Sequence, residues 1–137
     1  MSRVRRPIVA GNWKMHTTVA EASNLAQEIV AALAGVRGVD VVICPPFTAL
    51  TVVYEVIADS PVLLGAQNVN AAASGAFTGE VSWTMLQGLC SHVIVGHSER
   101  RQVQRRSPGR DCSPRRRCYA SSSCRPRWDG AHVTSCS

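Results

Sequence analysis

From Gln102 to Ser137 the sequence contains no Leu, Ile, Phe or Met. A segment so poor in aliphatic residues cannot bury enough apolar surface to offset the entropy of ordering it, so an irregular, disordered tail is expected there. Nowhere in the 137 residues is there a run of about 18 apolar side chains, and no membrane-spanning helix is expected. The basic opening "MSRVRRPIVAG" has an apolar run of only three residues, too short for the core of a secretory signal. The expected compartment is therefore the cytoplasm, where thiols stay reduced. Closely spaced cysteine pairs are lacking too. Cys112, Cys118, Cys124 and Cys136 are separated by 6, 6 and 12 residues, which does not fit a zinc site, and no metal is expected.

What is present is unevenly divided. Residues 1–101 carry seven Lys or Arg and seven Asp or Glu, and are neutral. Residues 102–137 carry eight Arg against Asp111 and Asp129, which accounts for the whole net charge of +6. Two pieces follow, 1–101 and 102–137, and the apolar residues needed for a core lie almost entirely in the first. Cys44 and Cys90 sit in apolar contexts and read as small core residues.

Hydrophobic periodicity sets the architecture of the first piece. "PIVAGNW" reads as a short strand after Pro7. Thr18 and Glu21 form a capping box ahead of "VAEASNLAQEIVAALAG", where Leu25, Ile29, Val30 and Leu33 recur at helical spacing and Gly35 supplies the stop. "VDVVICPP" is a second strand. "TALTVVYEVIADS" is a helix with Leu50, Val53, Tyr54 and Ile57 on one face, and "PVLLGAQNV" is a third strand. The glycine-rich "NAAASGAFTGEVS" is a loop, "WTMLQGLC" a short helix, and "HVIVGHSERR" a fourth strand running into another helix. Strand starts near residues 8, 39, 62 and 92 match successive βαβ units of roughly 30 residues each. Strands apolar throughout suit a parallel sheet covered on both faces, so the fold class is α/β.

In parallel α/β folds, chemistry gathers at the carboxyl ends of strands. Strand one ends in Asn12 and Lys14, strand three in Gln67 and Asn68, and strand four in Gly96, His97, Ser98 and Glu99. An amide, an ammonium and an imidazole placed there would suit a small anionic, oxygen-rich substrate. Taken alone, Lys14 fits a solvated strand-end cation and His97 a structural histidine bonded to backbone. His16, His92 and His132 read as surface or packing residues, and Trp13, Trp83, Met15 and Met85 as packing residues.

Four blocks in register decide between these readings. "AGNWKMH", "GAQNV", "GAFTGEVS" and "VIVGHSERR", in that order, resemble the N-terminal half of the triosephosphate isomerase family over about residues 6–101. The resemblance implies the first half of a (β/α)8 barrel, four parallel strands with their helices. It implies an aldose–ketose isomerase interconverting glyceraldehyde 3-phosphate and dihydroxyacetone phosphate through an enediolate, in glycolysis and gluconeogenesis, without a cofactor. Lys14 then corresponds to the substrate lysine, Asn12 to the amide that positions that lysine and the substrate, and His97 to the catalytic electrophile. The physical need is that charge developing on a carbonyl oxygen be met by preorganised donors. Ser98 begins the next helix, whose N–H groups favour a neutral imidazole. Glu99 corresponds to a buried supporting acid near Lys14. Thr78 corresponds to a residue that reaches into a neighbouring subunit, so a homodimer is implied.

The family pattern stops after Arg101, whereas a complete barrel needs about 250 residues. The glutamate base, mobile lid and glycine-rich phosphate loop have no counterpart here. Glu55, Glu80 and Glu99 lie in other blocks, so no general base is expected in this chain, and the chain alone is expected to be inactive. The abrupt change to Arg, Ser, Pro and Cys reads as a frame-shifted stretch of a GC-rich gene. Strands one and four are expected as open edges. A competing reading takes the chain as non-catalytic, its eight tail arginines with Tyr119 and Trp128 binding nucleic acid; nucleic acid is the less favoured partner, and a small phosphorylated triose the favoured one.

Overall fold

The computed structural model describes residues 6–103 and 132–135, with the backbone alone for 101–103 and 132–135. The chain divides into two compact units, one ending at Gln67 and the other beginning at Asn68.

The first unit holds three parallel strands, β1 (Ile8–Asn12), β2 (Asp40–Cys44) and β3 (Val62–Ala66). Ile8 pairs with Asp40 and Asn12 with Cys44, so β1 and β2 end level with one another. On its other edge β2 pairs with β3, Val41 opposite Val62 and Ile43 opposite Leu64. Helix α1 (Val19–Leu33) starts on the expected capping box: Thr18 accepts from the Glu21 amide, and the Glu21 carboxylate accepts from the Thr18 amide at 2.7 Å. The Thr18 amide first, and then the Thr18 hydroxyl donating at 2.9 Å, hold the Glu21 carboxyl below its ordinary range. The apolar face of α1 lies where the periodicity put it, but its deepest residues are Ala22 and Ala26, while Leu25, Ile29, Val30 and Leu33 are half-buried. Small side chains let α1 come close to its neighbour, and it packs along α2 (Leu50–Ile57) and the 3-10 turn Phe47–Ala49 that leads into it.

Two local expectations are corrected in this unit. Gly35 does not close α1 through a left-handed backbone; the Arg37 guanidinium instead donates to the Ala34 and Val36 carbonyls, both at 2.9 Å. The Leu33 carbonyl, the last of the helix, accepts from the Val36 amide at 3.0 Å, so the end closes without a left-handed glycine. On α2, Leu50, Val53 and Ile57 are buried, but Tyr54 is exposed. The interior of the unit is formed by Val42, Ile43, Leu64, Val53 and Ile57, each worth about 1.5–3 kcal/mol when fully buried. By contrast β1 is exposed from Ile8 to Gly11, Val9 by 59%, and half-buried only at Asn12.

The second unit contains the loop from Asn70 to Ser82, the four-residue helix α3 (Trp83–Leu86), strand β4 (His92–Val95) and helix α4 (Ser98–Val103). Asn70 closes the neck of the loop: its amide donates to the Val81 carbonyl at 2.7 Å and its side chain to Glu80 at 3.3 Å. Leu86, Cys90, Val93 and Ile94 are buried. Strand β4 is not an open edge. It pairs in parallel with β5 (His132–Ser135), His92 opposite His132 and Val95 opposite Ser135. Four residues of the tail thus form a strand that periodicity did not indicate, because Val133 is the one aliphatic residue there. The other tail features singled out above, including Cys112, Cys118, Cys124, Cys136, Tyr119 and Trp128, lie outside the described residues.

Along the chain the elements run as four strand–helix units followed by β5, in the order that the family resemblance implies for the first four. Among the described residues no helix is long and apolar enough to cross a membrane.

Candidate functional site

Lys14 follows the end of β1 with φ +55°, and Thr17 has φ +76°. They are the two non-glycine residues among those described that occupy the left-handed region, at a cost of about 1–3 kcal/mol each. Hydrogen bonds hold the Lys14 backbone there from both sides. Its amide donates to Asn12 Oδ1 at 3.0 Å, and its carbonyl accepts from Gln67 Nε2 at 2.8 Å. The same Gln67 nitrogen donates to the Cys44 carbonyl at 2.9 Å, which also accepts from the Trp13 amide at 3.1 Å. Each such bond contributes a net ~1 kcal/mol, the right size to offset the strain. Lys14 itself is exposed, and it is the only lysine in the sequence.

His97 follows β4 directly after Gly96, whose φ of +65° a glycine adopts without strain. Its side chain is only 17% exposed. The Glu99 amide donates to His97 Nδ1 at 3.3 Å. An N–H can bond to Nδ1 only through the ring lone pair, so this contact assigns the hydrogen to Nε2 and leaves Nε2–H as a donor. The Glu99 carboxylate stands 3.6 Å from Nδ1, beyond hydrogen-bonding distance, and the amide contact decides the tautomer. Glu99 is not the buried acid expected from the sequence: its side chain is 54% exposed, in the first turn of α4, turned back toward His97. Ser98 opens α4 and is exposed.

The structure therefore assembles Asn12, Lys14 and Gln67 in the first unit, and His97 with Glu99 in the second. Thr78 is exposed on the Asn70–Ser82 loop, beside exposed Phe77. Met15 and Met85 do not pack within this chain; they are 94% and 63% exposed. His92 is buried, its Nδ1 2.8 Å from Ser91 Oγ, in keeping with a packing role. A cavity of about 250 Å³ at the amino end of β2 has two arginines in its wall. Arg6 is engaged with Asp40 at 3.3 Å and Arg37 with the Ala34 and Val36 carbonyls, so the cavity is a poor anion site. Among the described residues no three His, Cys, Asp or Glu side chains form a metal-binding group.

Gln67 is the residue that sequence reasoning left without a role. Its position at the end of β3 was legible; its bond to Lys14, 53 positions earlier in the chain, was not.

Residues 7–109 match the family model of triosephosphate isomerase. The chain is 53% identical over 100 residues to a triosephosphate isomerase of Chloroflexus aurantiacus, covering 72% of this chain and 40% of the relative. It is 52% identical over 99 residues to one from Carboxydothermus hydrogenoformans, covering 72% and 39%. The crystal structure of a triosephosphate isomerase from Bartonella henselae superposes with a TM-score of 0.68 at 38% identity, over 75% of this chain and 43% of that one. The chain thus spans about two-fifths of the length of the curated relatives it matches.

Proposed function

This chain belongs to the triosephosphate isomerase family, and from that premise we propose that it supplies the electrophilic and cationic part of a triose phosphate isomerase site. Removing a proton beside the substrate carbonyl builds negative charge on oxygen, and a donor already aimed at that oxygen lowers the barrier. The observation that carries the reading is the Glu99 amide on His97 Nδ1, which occupies Nδ1 as an acceptor and leaves Nε2–H to donate to the enediolate. The Lys14 ammonium attracts the phosphate dianion and shares the oxygen charge, and Asn12 holds its backbone. In this reading Glu99 supports His97 and acts as neither acid nor base. The exposed Thr78 loop is the contact for a second copy in a homodimer, in the cytoplasm.

The general base comes from outside these residues. Glu80 is engaged in the neck of its loop, Glu55 lies on the exposed side of α2, and Glu99 packs toward His97. A positioned base is worth about 10²–10⁴-fold, so the chain alone has no measurable turnover of glyceraldehyde 3-phosphate. Supplying the remaining length of the Chloroflexus aurantiacus relative as a separate polypeptide restores turnover, and His97→Gln in this chain abolishes the gain. Turnover by the chain alone near that of a complete enzyme overturns the missing base. A stable complex of the two pieces without turnover overturns the roles given to Lys14 and His97.

A further inference from the structure

Gln67 stands where three strand ends meet, since it follows β3 and reaches Cys44 at the end of β2 and Lys14 just beyond β1. Both atoms facing its terminal group are carbonyl oxygens, so only the NH₂ end fits, and both hydrogens of Nε2 are used. One of those hydrogens fixes the Lys14 carbonyl at 2.8 Å, a tie that reaches Lys14 from 53 positions away in the chain. The Asn12 contact spans only two residues and would move with the turn. The direction in which a side chain leaves a strand end follows from its backbone dihedrals. A Lys14 relaxed to extended φ would carry its ammonium elsewhere.

We infer that Gln67 is a positioning residue for Lys14: its carboxamide holds Lys14 in the left-handed conformation that aims the ammonium at an anionic substrate group. The inference rests on the functional reading above for what Lys14 binds, but not for how its backbone is held. Gln67 touches no substrate in this account and acts through Lys14.

The single lysine makes the test direct. With ¹⁵N-lysine labelling, the full chain yields one backbone amide resonance, that of Lys14. A left-handed residue brings its amide proton close to its own α-proton and gives a strong intraresidue cross-peak. In the unaltered chain that cross-peak is strong, and titration with inorganic phosphate shifts the Lys14 resonance. Gln67→Met keeps the side-chain length without the donors, and Gln67→Glu sets an acceptor against two carbonyls. Both variants weaken the cross-peak and lower phosphate affinity by about tenfold, equivalent to ~1.4 kcal/mol, while the circular dichroism and melting temperature of Gln67→Met stay near those of the parent. A strong cross-peak retained in folded Gln67→Met overturns the inference, whatever phosphate does. If Gln67→Glu does not fold, Gln67→Met decides alone. If Gln67→Met loses the cross-peak but the parent binds no phosphate, the positioning role stands and the functional reading of Lys14 fails.

Discussion

The two units solve one geometric problem in different ways. Each must turn sharply at a strand end to present a polar side chain, and each uses a positive φ to do so. The second unit places Gly96 at φ +65° and lets His97 follow it, so the turn itself costs little. The first places Lys14 itself in the left-handed region, with β-branched Thr17 three residues on, and holds the strained segment with bonds from Asn12 and Gln67. The hold on His97 is local, from an amide two residues away; that on Lys14 spans 53 residues. The cation is thus tied to intact packing of β1, β2 and β3, and the imidazole mainly to its own turn.

The strongest way to break this contrast is to loosen the sheet under Gln67. Leu64 is 3% exposed, and Leu64→Ala is expected to cost about 2–5 kcal/mol, read from urea denaturation. It should also weaken the Lys14 cross-peak where folded chain remains, with no such change at His97. Next in size, Gly96→Ala forces an L side chain to φ +65° and should destabilise by about 1–2 kcal/mol. An unchanged denaturation midpoint would mean that the His97 turn does not need that dihedral. The converse change in the first unit has the opposite sign. Thr17→Gly relieves a φ of +76° and removes a buried hydroxyl that makes no hydrogen bond. Less the backbone entropy of glycine, the expected gain is roughly 1 kcal/mol, seen as a higher melting temperature.

The last effect is alkaline, absent at neutral pH. Burial pushes the Cys90 thiol from 9.0 up to about 11 in the folded chain. Between those values the unfolded chain has released a proton that the folded chain keeps, so stability falls as pH rises above about 9. Comparing Cys90→Ala with the parent across that window isolates the slope, which the variant should lack.

How much of this was legible beforehand depended on distance along the chain. The Thr18–Glu21 box was readable because its partners are three residues apart, and the structure has both of its bonds. The strands, the glycine-rich loop and the order of elements were readable for a similar reason: apolar period and turn chemistry are local. The reading slipped where local signals had rivals. Gly35 was taken as the end of α1, yet Arg37 satisfies the nearby carbonyls. Leu25, Ile29, Val30 and Leu33 mark the α1 face by their helical spacing, yet Ala22 and Ala26 sit deepest because small side chains allow close approach. Strand β5 carried no periodic signal, since in four residues the ladder to β4 determines the conformation rather than the side chains.

The sequence alone settled the α/β class, the order of elements through α4 and the family, and it pointed to Asn12, Lys14 and His97, because these follow from short-range pattern and from motif blocks in register. Tertiary structure decided how Lys14 is held, which nitrogen of His97 is left to donate, and that Glu99 is exposed. Those outcomes depend on which carbonyl or amide arrives beside a side chain when strands pair. A linear reading names the residues at a strand end, and only the folded sheet brings Gln67 to Lys14.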